Sequence, residues 1–164
     1  SHLKLSNQFK EHSIKRSYLA IVWGVINKKG TLENNISRHP YNRKKMHISK
    51  NGKVGITHWE LKQTFSNIAS LIECNLKTGR THQIRVQFAN NGNHLIGDKV
   101  YNNPKTKKRY LNKNNQNIFN LLQSFPRQAL HAKHLSFLHP ITNKKLSFES
   151  ELPEDISKLI DNFT

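Results

Sequence analysis

The sequence predicts an α+β fold, a mostly antiparallel sheet with helices packed on it. Three observations carry that reading. Ser17 to Ile26 is rich in β-branched and aromatic residues and is apolar on both faces, the pattern of a central strand. Two alternating runs, Val54–Phe65 and Ile68–Leu76, are separated only by Ser66-Asn67, a hairpin-like break. The elements follow in the order strand, strands, helix, strands, helix, with the helical spacings confined to short pieces.

Taken in order, residues 3–13 read as the tail of a helix in which Leu5 and Phe9 share a face. The strand Ser17–Ile26 ends at Asn27-Lys28-Lys29-Gly30, and Thr31–Ile36 is a short strand. Arg38 to Lys45 is a basic loop with Tyr41 embedded in it. After the predicted hairpin the chain turns through Thr78-Gly79 into a short helix, with Thr81 as its N-cap. Ile84 and Phe88 share the apolar face of that helix and Arg85 sits beside it. A guanidinium beside an apolar stripe is costly unless an anion meets it, which marks Arg85 as a candidate site residue. Residues 102–118, dominated by Asn and Lys, read as a mobile insertion loop. Phe119–Phe125 is a helical turn, and Leu130–Phe137 with Lys145–Phe148 forms a second hairpin. Pro153-Glu154-Asp155 opens a last helix whose apolar stripe is Ile156, Leu159, Ile160 and Phe163. No repeat interrupts this order, and residues 1–164 read as one domain.

Charge is the dominant compositional fact. The formal net charge is +17, from 27 Lys and Arg against 10 Asp and Glu, and such a surface attracts polyanions, nucleic acid first. Lysine surplus from an AT-rich genome would supply part of the same excess. The single cysteine, Cys74, lies inward in a strand beside Ile72 and Leu76, which excludes a disulfide framework and fits a reducing cytoplasm. No apolar run reaches membrane-spanning length, so no membrane partner is expected. Ten histidines raise the question of a metal, but His131 and His134 at strand spacing point to opposite faces and no cysteine pair accompanies them, so none is expected.

The run Leu76-Lys77-Thr78-Gly79-Arg80-Thr81-His82-Gln83-Ile84-Arg85-Val86-Gln87, followed by Gly92 to Asp98 and Tyr101, resembles the signature of RluA-type pseudouridine synthases. Arg16 to Gly24 resembles that family's basic-x-Tyr strand, Gly55 to Leu61 the strand before the signature, and Arg127 to Ala132 with Leu135, Phe137, His139 and Pro140 the strand near its end. The resemblance spans nearly the whole chain. It implies the pseudouridine synthase catalytic fold and an enzyme that isomerises uridine to pseudouridine in ribosomal or transfer RNA without cofactor or metal. Two positions depart from the family pattern: Gln87 stands where His is usual, and Leu95 where Pro is frequent.

The resemblance also implies roles. Arg85 matches the arginine that pairs with the family's aspartate nucleophile, and Tyr18 the tyrosine that stacks on the target base. Leu135 matches an apolar residue closing the pocket, although a buried strand leucine looks the same. That aspartate lies in an Arg-Leu-Asp-x-x-Thr-Ser-Gly stretch ahead of the basic-x-Tyr strand, and no such stretch occurs in these residues. The expectation is therefore a C-terminal portion of the enzyme, inactive alone, with Asp98 organising a turn rather than replacing the nucleophile. Arg16, Arg38, Arg43, Lys44, Arg80, Gln83 and Arg109 are candidate RNA contacts, with Gln83 alternatively supporting Arg85 or the loop, and Tyr41 and Tyr110, set among the charges, could stack on bases. RNA is the expected partner and a monomer the expected state. A non-catalytic RNA-binding module of the same descent is the alternative. A ribosome-associated structural protein explains the charge but not the joint occurrence of Tyr18 and the Arg85 motif.

Overall fold

The computed structural model describes residues 2–11, 13–105, 109–111 and 114–163. Its strands are β1 (Lys15–Trp23), β2 (Lys29–Arg38), β3 (Met46–Ile48), β4 (Lys53–Phe65), β5 (Ala69–Leu76), β6 (Leu130–Leu138) and β7 (Lys145–Glu149). The helices used below are α1 (His2–Lys10), α2 (Gln83–Asn90), α3 (Gln116–Ser124) and α4 (Glu154–Asp161). The strands form one sheet in the order β3-β2-β4-β5-β1-β6-β7, and every pairing is antiparallel. This is the α+β architecture expected from the sequence.

β1 lies inside the sheet between β5 and β6, and its continuous apolar run is used on both faces. Ile21 and Trp23 join Phe65, Leu71, Phe119, Leu122, Ile156 and Leu159 in one core, beneath α3 and α4. Ala20 and Val22 join Ile72, Cys74, Ile84 and Phe88 in the other, beneath α2. Burial pushes the Cys74 thiol far above its usual range, so it behaves as a small apolar residue. The last helix packs as its stripe predicts, with Ile156 and Leu159 buried and Ile160 and Phe163 against the same core.

Both residues of the break between β4 and β5, Ser66 and Asn67, have positive φ (44° and 58°), the left-handed pair that lets a two-residue turn follow the sheet twist. β1 and β6 carry a bulge: Ser17 faces His134 while Tyr18 faces Ala132, so Lys133 is the extra residue. A bulge re-aims the side chains next to it, and here it sits at Tyr18.

Several expectations are corrected. β2 is ten residues long, beyond the Thr31–Ile36 run, and β3 just after the basic loop was not foreseen. Two of the five residues 112–116 and three at 106–108 in the expected insertion loop lie outside the described residues, but α3 already begins at Gln116. Tyr110 is not offered to bases: its ring stacks on Trp23 with centroids 6.3 Å apart and packs against the first core.

Candidate active site

The loop between β5 and α2 is held by one buried side chain. Gln83 Oε1 accepts from Thr78 Oγ1 (2.8 Å) and from the Arg80 backbone N–H (2.9 Å), while its amide nitrogen donates to Ile56 O and Thr57 Oγ1. Both amide atoms are therefore spent inside the protein, and Gln83 is a loop support rather than an RNA contact. The expected cap is also corrected. His82, not Thr81, is the N-cap, in a left-handed conformation (φ 54°) and without a side-chain capping bond, and Thr81 remains exposed. The loop ahead of the helix is closed instead by the Gln83 amide, through Thr78 Oγ1 and the Arg80 N–H.

Gln87, four residues on, faces the same way. Its Oε1 accepts from Thr57 Oγ1 (2.7 Å) and its nitrogen donates to Gly55 O (2.9 Å) and Leu32 O (3.1 Å), so α2 is stitched to β2 and β4. Thr57 thus bridges two glutamines at helical i,i+4 spacing, a pattern legible in the sequence that carried no weight there. Gln87→Leu keeps the volume but strands these polar groups. Denaturant unfolding should show a loss of about 2 kcal/mol, because each buried group left unbonded costs roughly 1–3 kcal/mol.

Arg85 does meet an anion, and the anion is Asp98. Arg85 Nε donates to Asp98 Oδ2 at 2.7 Å and Nη2 to Oδ1 at 2.8 Å, a bidentate pair with side chains 11% and 0% exposed. The same Oδ1 accepts the Val100 and Tyr101 backbone N–H groups, so Asp98 also organises a turn, as expected. Burial works to raise the Asp98 carboxyl, but the Arg85 and backbone hydrogen bonds outweigh it and the net shift is downward. The pair shifts Arg85 upward.

Asp98 arrives because residues 94–96 wedge between β1 and the start of β6: Trp23 N–H bonds His94 O, Ile96 N–H bonds Ile21 O, and Ala129 N–H bonds Ile96 O. Gly97 then turns with φ 69°, where any Cβ would collide with the Arg127 carbonyl.

The Tyr101 ring lies 5.1 Å from the Arg85 guanidinium carbon, its hydroxyl accepts the Met46 N–H (2.8 Å), and it bonds His82 Nδ1 (3.0 Å). One phenol thus joins Arg85, the cap of α2 and β3. Desolvation, with the Arg85 charge adding to it, shifts His82 downward and favours the neutral ring.

These elements enclose a cleft of about 340 Å³ lined by Tyr18, Leu76, Arg80, His82, Gln83, Ile84, Arg85, Gln128 and Leu130. Tyr18 and Arg85 therefore face one space, although 67 positions separate Ser17 and Ile84 beside them in the chain. Leu135 does not line it. It is 37% exposed and borders an adjoining groove with Tyr18, Arg16 and Phe148, and the leucines in the cleft are Leu76 and Leu130. With Nε and Nη2 on Asp98, Arg85 Nη1 has no bond among the described residues, so a further anion in the cleft could be met.

The basic candidates divide by place. Arg80 lines the cleft itself, and Arg16 lines the two spaces that adjoin it. Arg38 ends β2 while Arg43 and Lys44 belong to the loop before β3, all three exposed, with Arg38 Nη1 donating to Arg43 O at 2.8 Å and Tyr41 projecting into solvent. Arg109 is exposed, and its neighbours Lys107 and Lys108 lie outside the described residues. His131 bonds Ser150 O and His134 bonds Ser147 Oγ, and no cluster with metal-ligand geometry occurs among the described residues.

Comparison with known proteins bears on the family and the fold. The family described as RNA pseudouridylate synthase matches residues 1–90. The chain is 44% identical over 163 residues to ribosomal large subunit pseudouridine synthase D of Zymomonas mobilis, covering 97% of this chain and 48% of that protein. It is 40% identical over 160 residues to the protein of the same name from Pseudomonas aeruginosa, covering 98% and 49%. The chain thus spans about half the length of these relatives. Among solved structures, human RNA pseudouridylate synthase domain containing 1 superposes with a TM-score of 0.71 at 22% identity, covering 92% of this chain and 59% of that one. Human RNA pseudouridylate synthase domain containing 4 gives 0.70 at 19%, covering 98% and 66%, so the fold is shared. On the family match and these relatives together, the chain belongs to the RNA pseudouridylate synthase family, of the RluA type.

Proposed function

We propose that these residues are part of a single catalytic domain that isomerises uridine to pseudouridine in ribosomal or transfer RNA, in the cytoplasm and as a monomer. One observation carries the reading: Tyr18 and a half-satisfied Arg85 face the same cleft. In the proposed reaction the bond from uracil N1 to the ribose breaks, the base turns, and a bond from C5 to the same ribose carbon forms. C5 loses a proton and N1 gains one, so the change is redox-neutral and calls for no cofactor or metal.

The nucleophile is an aspartate outside residues 1–164, and Arg85 Nη1 is the donor left to hold it ionised. Tyr18 supplies a π-face for the base and a hydroxyl for proton transfer. Leu130 lines the cleft and Leu135 the adjoining groove, and Tyr18 borders both. Arg16, Arg38, Arg43, Lys44, Arg80 and Arg109 carry the phosphates, offsetting the few kcal/mol of turning a base out of its stack.

The test is release of tritium from RNA carrying 5-tritiated uridine. The full-length protein should release it, residues 1–164 alone should not, and Tyr18→Phe should slow release about 100-fold with RNA affinity within a factor of three, since general acid–base groups contribute roughly 10²–10⁴-fold. No release by the full-length protein would overturn the proposal. One observation favours a non-catalytic RNA clamp instead: Asp98 already takes the Nε and Nη2 donors of Arg85. That reading expects RNA binding without tritium release.

A further inference from the structure

Beside the cleft lies a second cavity, of about 410 Å³, lined by Phe9, Lys10, Arg16, Lys53, Gly79 and Arg80. Four of its six walls are cations and none is a carboxylate. It shares Arg80 with the cleft and Arg16 with the Leu135 groove, so it adjoins the space occupied by Tyr18. We propose that Lys10, Arg16, Lys53 and Arg80 form a subsite for one RNA backbone phosphate, that of a nucleotide adjoining the one in the cleft. The assignment of RNA rests on the function proposed above.

Arg16 is held in place yet left unused. Its guanidinium carbon lies 5.6 Å from the Phe9 ring centre, and on its other side it presses on Gly79, where any Cβ would collide with it. It makes no hydrogen bond or ion pair among the described residues, and its Nε is buried without a partner. Buried donors are nearly always bonded, so a fixed guanidinium with a buried, idle nitrogen points to a ligand. Arg80 is likewise half used: Nε donates to Val54 O at 2.9 Å, and its terminal nitrogens bond nothing among the described residues. Two planar forks and two lysines around one space repel each other when it is empty, and a phosphate satisfies them together. Gly79 has ordinary φ and an exposed position, so what a side chain there would displace is the Arg16 guanidinium rather than the backbone.

The experiment uses the full-length protein and short target RNAs in which single phosphates flanking the reactive uridine are replaced by neutral methylphosphonates. For the unaltered protein, one position should weaken binding about tenfold. Arg16→Gln and Lys53→Gln should each weaken binding to unmodified RNA and flatten the slope of log affinity against log salt by about one unit. For both variants the sensitive methylphosphonate should cost no further affinity. Gly79→Ala, which evicts the guanidinium, should behave as Arg16→Gln. Lys53 is exposed at a strand end, so Lys53→Gln keeps the test valid even if a change at Arg16 disturbs folding. An equal methylphosphonate penalty in protein and variants would overturn the subsite. So would tight capture of inorganic phosphate with no methylphosphonate sensitivity, which marks a free-anion site. A subsite that passes while no tritium is released retains the phosphate assignment and removes the isomerase reading. Tritium release with no flanking-phosphate effect does the reverse.

Discussion

Arg85→Ala in the full-length protein should lower kcat about 1,000-fold, with RNA affinity falling less than tenfold. The magnitude is that of removing one preorganised charge from a dry catalytic site, roughly 10²–10³-fold or more. The side chain is nearly enclosed and lines the cleft, its Nε and Nη2 are fixed on Asp98, and Nη1 makes no hydrogen bond among the described residues. Alanine removes the donor that would keep the nucleophilic carboxylate ionised, and it strands Asp98. Arg85→Lys separates the two effects. Lysine keeps a charge beside Asp98 but, as a single point donor, cannot hold two carboxylates in fork geometry. Arg85→Lys should therefore fold, bind RNA, and still lose at least 100-fold in kcat in single-turnover assays. Turnover within tenfold of the unaltered protein for either variant would remove Arg85 from the mechanism.

Asp98→Ala should cost about 4 kcal/mol of folding stability, within the roughly 3–5 kcal/mol expected when one member of a buried ion pair is deleted. Asp98 has no exposed side-chain surface, and its loss leaves a buried guanidinium and two backbone N–H groups, of Val100 and Tyr101, without their acceptor. The pH dependence has a definite sign. The Asp98 carboxyl is held below its ordinary value in the folded state, so its contribution is complete above the unfolded value, about 4. It is lost as pH falls through the lower folded value. Urea unfolding of the unaltered protein and of Asp98→Asn should therefore differ fully at pH 7 and converge below about pH 4. A difference that stays constant from pH 7 to pH 3 would show that the pair does not set Asp98 apart.

The elements legible in the sequence are those whose burial follows a simple period. The double-faced apolar run of β1, the β4–β5 hairpin with its Ser66-Asn67 turn, and the α4 stripe each need only local spacing and one or two buried faces. β3 was hidden because three half-buried residues after a basic loop become a strand only by pairing with β2. Tyr110 was misread for the same reason: among lysines and asparagines it looks exposed, yet Trp23, far away in sequence, provides a stacking surface.

The sequence by itself determined the fold class, the family signature and the need for an anion beside Arg85, because residue type and short-range spacing suffice for each. Tertiary structure alone decided which anion answers that need, since Asp98 reaches Arg85 only after residues 94–96 wedge against β1. It also chose Leu130 over Leu135 for the cleft and gathered Arg16, Arg80, Lys10 and Lys53 around one space. The physical reason is common to all three: convergence depends on strand order, a bulge and a loop path, and none of these leaves a periodic trace in the chain.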